Sequence, residues 1–182
     1  EEWNRSEGTA SIWVRIPRIN GNARQELRMH WGNPEAASQS NGKAVFNESN
    51  GYLSVWHLDG SVDDSVGALE TKDVGTTSTA ARIGKGRHFA GQQGLFGGDR
   101  IEGYPSGSAP HSSEMWMRAE QSNGSTVAWG NEQAQGKVVM FFQSPPHIRM
   151  DCYFSGADVS SAGRIPMNEW VHVVHTYQPG DS

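Results

Sequence analysis

The sequence is poor in cysteine, in basic residues and in long apolar runs. Cys152 is the only cysteine among 182 residues, which excludes an intrachain disulfide framework and a cysteine-rich zinc site. Lys and Arg total 15 against 20 Asp and Glu, so the formal net charge is −5 and a nucleic-acid-binding surface is not expected. No apolar run approaches the ~18 residues of a membrane-spanning helix, so no membrane span is expected.

Glycine and tryptophan, in contrast, are plentiful, with 22 and 7 residues. Short apolar or β-branched runs recur between clusters of Gly, Ser, Asn and Pro, and no long stretch shows a helical apolar period. This pattern predicts an all-β protein. The predicted strands cover residues 11–19, 26–31, 52–58, 87–90, 113–117, 126–130, 137–142, 148–154 and 170–177. A short helical turn is expected after Pro34.

The strongest predicted strand is 170–177, because it carries apolar residues at both odd and even positions. Val171 and Val173 share a face with His175, while Trp170 and Val174 lie on the other face. This predicts a strand packed on both sides. It also places His172 and His175 on opposite faces, so a metal shared by these two is not expected. His172 is predicted to be partly buried and hydrogen-bonded.

Four ordered motifs between residues 50 and 182 resemble LamG-like jelly rolls of the concanavalin A-like lectin/glucanase superfamily. They are Val-Trp-His-Leu-Asp at 55–59 with Asp-Asp-Ser-Val-Gly at 63–67, the glycine-bounded strand 84–91, the Trp-containing strand 114–118, and 170–177. The resemblance implies an antiparallel jelly-roll β-sandwich. Long polar loops between short strands fit the same architecture.

Residues 1–47 differ from this pattern and resemble the C-terminal part of a bacterial domain of unknown function that often precedes such a jelly roll. The predicted organisation is therefore part of a small β domain at 1–47, followed by a jelly roll at 48–182 that is truncated at its C-terminus. The chain begins with Glu and ends in a turn-like Gly-Asp-Ser. We expect it to be an internal piece of a longer exported protein.

An acidic loop near Asp59, Asp63 and Asp64 is the candidate metal site. Calcium takes six to eight oxygen ligands, and an Asp-rich glycine loop after a strand supplies several. The resemblance implies a structural calcium held through the loop from Asp64 to Gly67. The alternative is that Asp63 and Asp64 are ordinary turn residues.

The candidate carbohydrate-binding residues are Trp129, Asn131, Gln133 and Tyr104, with Phe96 as a further aromatic. A sugar site needs an aromatic platform beside convergent polar groups, and residues 129–133 supply both at a predicted strand end. For Trp129 the alternative is a place in the core. The other three tryptophans on predicted jelly-roll strands are expected in the core: Trp56, Trp116 and Trp170.

No catalytic constellation is evident. The glucanases of the superfamily carry two glutamates around an aspartate on one strand, and this sequence lacks that spacing as well as a G-x-S-x-G elbow. Cys152 is interpreted as a small buried hydrophobe.

The resulting hypothesis is a non-enzymatic, carbohydrate-binding accessory module of a bacterial protein, extracellular, at the cell surface or periplasmic. Two alternatives stay open. One is an adhesion or structural module that binds protein. The other is a periplasmic sensory extension of a membrane protein of the ExbB/TolQ proton-channel type.

Overall fold

The computed structural model describes residues 2–67, 69–131, 133, 136–143, 146–151 and 158–180. The described chain is nearly all β, with antiparallel sheets that are consistent with a β-sandwich, as the sequence predicted. It divides into two compact units, unit 1 at Glu1–Ile101 and unit 2 at Glu102–Ser182.

Unit 1 is built from three antiparallel strand pairs. Its strands are β1 Glu2–Asn4, β2 Thr9–Ser11, β3 Lys72–Val74, β4 Thr77–Ala80, β5 Lys85–His88 and β6 Gly94–Phe96. The pairs are β1 with β2, β3 with β6 and β4 with β5. The polar stretch after residue 58, where no strand was predicted before residue 87, therefore contributes two short strands, β3 and β4. Residues 52–58, which were predicted as a strand, do not form one, while the predicted strand 87–90 overlaps β5.

Residues 12–41 form no strand, so the predicted strands 11–19 and 26–31 are wrong apart from Ser11. Alternating side chains make a strand only when the backbone finds a ladder partner, and β2 ends at Ser11. The apolar side chains of this segment remain exposed, up to 80% for Trp31. The expected feature after Pro34 is a turn, with Ala36 N donating to Asn33 O.

A short helix, α1 at Gly42–Val45, and a 3₁₀ turn at Glu48–Asn50 follow this segment. Asn41 begins α1, because its side-chain oxygen accepts a hydrogen bond from Ala44 N at 3.0 Å. Sequence reasoning missed α1, which is too short to show an apolar period.

An aromatic cluster in unit 1 spans the predicted domain boundary at residue 47. Phe46 is buried and packs edge-on against Trp13, Tyr52 and His57, with ring centroids 5.1 to 5.6 Å away. Trp13 also lies 6.0 Å from His57. Residues on both sides of position 47 therefore share one aromatic cluster within unit 1.

Unit 2 has longer strands in two antiparallel sheets. They are β7 His111–Arg118, β8 Ser125–Gly130, β9 Lys137–Gln143, β10 His147–Asp151, β11 Val159–Ser160 and β12 Trp170–Tyr177. One sheet has the order β11-β10-β9-β8, and the other pairs β12 with β7. The predicted strands 113–117, 126–130, 137–142 and 170–177 are confirmed. Predicted strand 148–154 matches β10 up to Asp151, while Cys152 and the rest lie outside the described residues.

The core of unit 2 is made of Met140, Ile148 and Met150 on β9 and β10. Met115 and Met117 of β7 and Val173 of β12 pack against it, together with Val127, Val138, Phe142 and Ile165. One face of each sheet thus contributes to a shared apolar layer, as in a sandwich. Burying a side chain such as Met140 contributes about 1.5–3 kcal/mol.

The predicted two-sided packing of 170–177 is wrong. Burial along β12 alternates: Val171, Val173, His175 and Tyr177 are half-buried, whereas Val174 is 53% exposed on the opposite face. A two-stranded sheet with one covered face is stable when its inner face joins a larger core. The sequence pattern alone did not reveal that the second apolar face is left open to solvent.

Candidate carbohydrate-binding site

Trp129 lies near the end of β8 and is half-buried. It shares a face of the strand with Val127, which packs against the methionine core. Its indole nitrogen donates a hydrogen bond to Pro105 O at 3.1 Å. Trp129 is thus held to the loop at Pro105 and only half-buried, between the two alternatives that the sequence left.

Tyr104 comes from the loop before β7 and meets Trp129 edge-to-face, with ring centroids 6.1 Å apart and an interplanar angle of 69°. The Trp129–Pro105 hydrogen bond ties that loop to the strand end. The structure therefore brings two of the predicted sugar-binding aromatics together. Phe96, the further aromatic, belongs to β6 of unit 1.

Asn131 and Gln133 lie in the turn that follows β8, and both are exposed. Asn131 N donates to Gly136 O at 2.8 Å, and Gly136 N donates to Gln133 O at 2.8 Å, so the turn is closed by backbone bonds. Gly130 enters it with φ +95°, and a Cβ there would collide with Gly136 O. Glu132, between the two amides, lies outside the described residues.

A group of polar side chains lies behind Trp129 on the inner face of β7 and β12. We call His111, Ser113, His175 and Tyr177 the histidine cluster. The His111 ring centroid lies 5.2 Å from Trp129, 5.3 Å from His175 and 5.3 Å from Tyr177. Strand register produces this grouping, because His111 is opposite Tyr177 and Ser113 is opposite His175. Sequence reasoning missed His111, since the predicted strand began at residue 113.

Burial lowers the pKa of His175, and the nearby His111 lowers it further. Desolvation disfavours the charged imidazolium, so His175 is neutral at neutral pH. Among the residues that the structure describes, three buried atoms of the histidine cluster find no hydrogen-bond partner: His111 Nε2, Ser113 Oγ and His175 Nδ1.

The opposite, open face of β7 and β12 carries the other feature that the sequence missed, which we call the Trp116 face. Trp116 is 45% exposed and stacks on His172 across the strand pair, with ring centroids 5.1 Å apart. Glu114 lies 3.5 Å from His172 Nε2, and the Arg118 guanidinium is 5.9 Å from the Trp170 ring centroid. The predicted core position of Trp116 and the predicted partial burial of His172 are both wrong.

Of the other two tryptophans expected in the core, Trp56 and Trp170 are half-buried. Trp56 Nε1 donates to Thr71 Oγ1 at 2.8 Å within unit 1. Neither of these two side chains is fully buried, as a core position would require.

In the acidic loop, Asp64 is the buried member, 6% exposed. Its carboxylate accepts hydrogen bonds from three backbone amides: Val55 N at 2.9 Å, Val66 N at 3.0 Å and Leu69 N at 3.2 Å. Asp64 therefore ties the loop to the preceding chain segment, which is more than the turn role of the alternative interpretation.

The other residues of the predicted calcium site have contacts of their own. Asp63 is exposed and bonds Ser61, and Gly67 has φ +82° with Lys43 Nζ close by, 3.4 Å from where a Cβ would stand. Asp59 is exposed and lines an open groove with Glu2 and Lys85. Across the described ranges, no three His, Cys, Asp or Glu side chains form a group that could hold a metal ion. Calcium at this loop stays a prediction.

Residues 1–59 match the family model of DUF2341, a domain of unknown function found in bacteria. The match covers about a third of the chain, and it includes the whole Phe46 cluster. No curated protein matches the chain. No solved structure matches it either. No helix in the described part of the chain has the length and apolar character needed to cross a membrane.

Proposed function

We propose that this chain is a non-enzymatic carbohydrate-binding module of a bacterial exported protein, with a LamG-like jelly roll as its binding domain. The observation that supports it best is the corner formed by Trp129 and Tyr104, 6.1 Å apart, beside the exposed amides of Asn131 and Gln133. An extracellular or periplasmic location and a structural calcium at Asp64 are parts of the same proposal.

The corner has the chemical make-up of a sugar site. Partly open aromatic rings offer apolar surface for the C–H face of a pyranose, and amide side chains both donate and accept hydrogen bonds to hydroxyl groups. Both amides lie in a turn held by backbone hydrogen bonds, so less ordering is needed on binding. The net charge of −5 favours a neutral ligand over a polyanion.

The experiment is a glycan array on the full chain, followed by affinity electrophoresis in gels that contain the best polysaccharide. Replacing both amides, Asn131→Ala with Gln133→Ala, should weaken binding about thirtyfold, because each of the two lost hydrogen bonds costs about 1 kcal/mol. Their exposed positions predict an unchanged melting temperature. Asn123→Ala, an exposed amide in the β7–β8 connection, is the matched control.

Absence of binding to every glycan tested, with and without millimolar calcium, would contradict the proposal. Binding that survives the double substitution would move the site away from this corner.

The Trp116 face supports a second candidate, a protein-binding adhesion or structural module. Its exposed Trp116 and Val174 form an apolar patch with charged neighbours, as at protein interfaces. The two candidate functions differ in which residue is required for binding. Trp116→Ala should leave glycan binding unchanged but remove association with a protein partner or a second copy, measured by sedimentation. Loss of glycan binding in this variant would place the sugar on the Trp116 face instead.

A further inference from the structure

We infer that the histidine cluster is a pH-sensitive switch behind Trp129: in mildly acidic solution, protonation of His175 opens the cluster and displaces Trp129 from its place in the corner. Release of a glycan by this opening rests on the function proposed above, whereas the opening itself does not depend on it.

Ring contacts connect His175 to Trp129 through a single residue. The His111 ring lies 5.3 Å from His175 and 5.2 Å from Trp129, which it meets edge-to-face at 80°. His111 Nδ1 donates to Ala109 O at 3.0 Å, since a carbonyl only accepts, and the same loop holds the Trp129 indole through Pro105 O. A displacement of His111 therefore reaches both the Trp129 ring and the loop that holds it.

The closed cluster is built for neutral imidazoles. Among the described residues, His175 Nδ1 and Ser113 Oγ are buried and find no hydrogen-bond partner. An imidazolium carries two N–H donors and a full charge, so it needs acceptors or water on both nitrogens. Because the buried nitrogen is closed to solvent, water reaches a charged His175 only when the cluster opens.

Within the part of the chain that the structure describes, His175 has no counter-ion on its side of the strand. The titratable groups there are His111, Tyr177 and, beyond Trp129, Tyr104. The facing strands β8, β9 and β10 turn apolar side chains toward this layer. The charged and titratable residues of the neighbouring elements alternate to the outer faces or are exposed: Glu102, Glu114, Arg118, Lys137, His147, Arg149, Asp151, Arg164 and His172.

The cluster also lies where the strand pair opens most readily. His111 and Tyr177 are the last pair of the β7–β12 ladder, and Ser113 is opposite His175 close to that end. Terminal ladder pairs open at a much lower free energy than the core of a sheet. The cluster can therefore open while the methionine core stays packed.

The direction of the pH response follows from burial. Burial and then His111 hold the pKa of His175 below the usual 6.5. Neutral His175 therefore stabilises the closed cluster fully above pH 6.5, and this contribution is lost as the pH falls from 6.5 through the native value.

The first test follows the full wild-type chain by NMR, without glycan, from about pH 7.5 to about pH 5. The His175 ring protons should titrate with a midpoint below 6.5, and the Trp129 indole N–H resonance should move with the same midpoint. Amide exchange, corrected for its intrinsic pH dependence, should rise at residues 111–113 and 175–177 while Met140 and Met150 stay protected.

The second test measures affinity for the best polysaccharide of the array at both ends of this pH range. The wild type should bind about tenfold more weakly at the acid end, as expected when about a tenth of the molecules keep the closed cluster. His175→Phe cannot be protonated and should bind equally at both pH values. His172→Gln, on the exposed face of the same strand, is the matched control and should keep the wild-type response.

The two tests separate the switch from the proposed function. Absence of glycan binding at every pH contradicts the proposed function, and the NMR titration, which needs neither glycan nor a folded variant, then decides the switch alone. The switch is overturned if the Trp129 resonance does not follow His175, or if Met140 loses protection at the same pH, which would mark global unfolding. It is equally overturned if binding by His175→Phe weakens in acid as much as binding by the wild type.

Discussion

The two units place the same residue types in opposite environments. In unit 2, Met140 is 1% exposed between two sheets, whereas Met29 in unit 1 is 57% exposed in an irregular segment. Unit 2 has strands of up to eight residues whose inner faces meet in a core, while the strands of unit 1 have three or four residues.

Carboxylates connect short segments of unit 1. Asp64 accepts hydrogen bonds from three backbone amides, and Asp73 accepts hydrogen bonds from Thr76 in the β3–β4 turn and from Arg87 of β5. The comparison indicates that apolar residues stabilise a β unit only when a ladder partner directs them inward. Where strands are short, carboxylates that accept several hydrogen bonds hold the chain instead.

The sharpest test of this difference replaces one buried and one exposed methionine by alanine. Met140→Ala should lower the free energy of unfolding by about 3 kcal/mol, since it leaves a cavity in the core. Met29→Ala should change it by less than about 0.5 kcal/mol. Urea denaturation gives both values, and hydrogen exchange should report the loss in β9. A comparable cost at Met29 would show that residues 12–41 are packed after all.

The Asp64 carboxylate is the matching test for unit 1. Asp64→Ala should cost about 2 kcal/mol, because Val55, Val66 and Leu69 lose an acceptor in a buried place. Asp63→Ala, exposed and adjacent, should cost little. Thermal unfolding of both variants, each with and without calcium, measures this. Equal effects at the two positions would remove the distinction between them.

Neighbouring residues on β7 test which face of unit 2 is covered. Met117→Ala should cost about 2 kcal/mol, because Met117 packs against the core. Trp116→Ala should cost about 1 kcal/mol or less despite the larger side chain, because Trp116 is 45% exposed. Chemical denaturation of the two variants measures both changes in the free energy of unfolding. A larger loss of stability in Trp116→Ala would show that this face is covered in solution.

The Asp73 network predicts a pH effect. Hydrogen bonds from Thr76 N and Thr76 Oγ1, then the Arg87 guanidinium, hold the pKa of Asp73 below its usual value of 3.8. A lowered native pKa stabilises the fold above pH 3.8, and this contribution is lost as the pH falls through the native value. In Asp73→Asn the melting temperature should therefore fall less steeply at acid pH than in the wild type. Asp99→Asn is the matched control and should follow the wild-type profile. Identical acid limbs in the wild type and Asp73→Asn would contradict this.

The local sequence pattern was sufficient to predict most of the strands of unit 2. Alternation and β-branching predicted β12 at its observed bounds and most of β7, β8 and β9, because these strands have enough residues for the period to show. In unit 1 the same reasoning placed strands at 11–19 and 26–31, where no partner strand is present among the described residues. It also passed over β3 and β4, which are short and polar.

For the candidate site, the sequence supplied the residue types and the structure supplied their neighbours. Trp129, Asn131 and Gln133 are close in sequence, so their grouping at a strand end could be predicted. The meeting of Tyr104 with Trp129 depends on a loop held by Pro105 O, and that of His111 with His175 depends on the β7–β12 register. Contacts between distant segments leave no local pattern.

The sequence by itself determined an all-β chain that has few basic residues. It also determined which residues of β12 share a face, because side chains alternate along every strand. Only the tertiary structure decided which face is covered. Both faces of β12 carry apolar residues, so the choice depended on where the methionine core of β9 and β10 packs. That packing turned His175 inward beside His111 and left Trp116 and His172 in solvent.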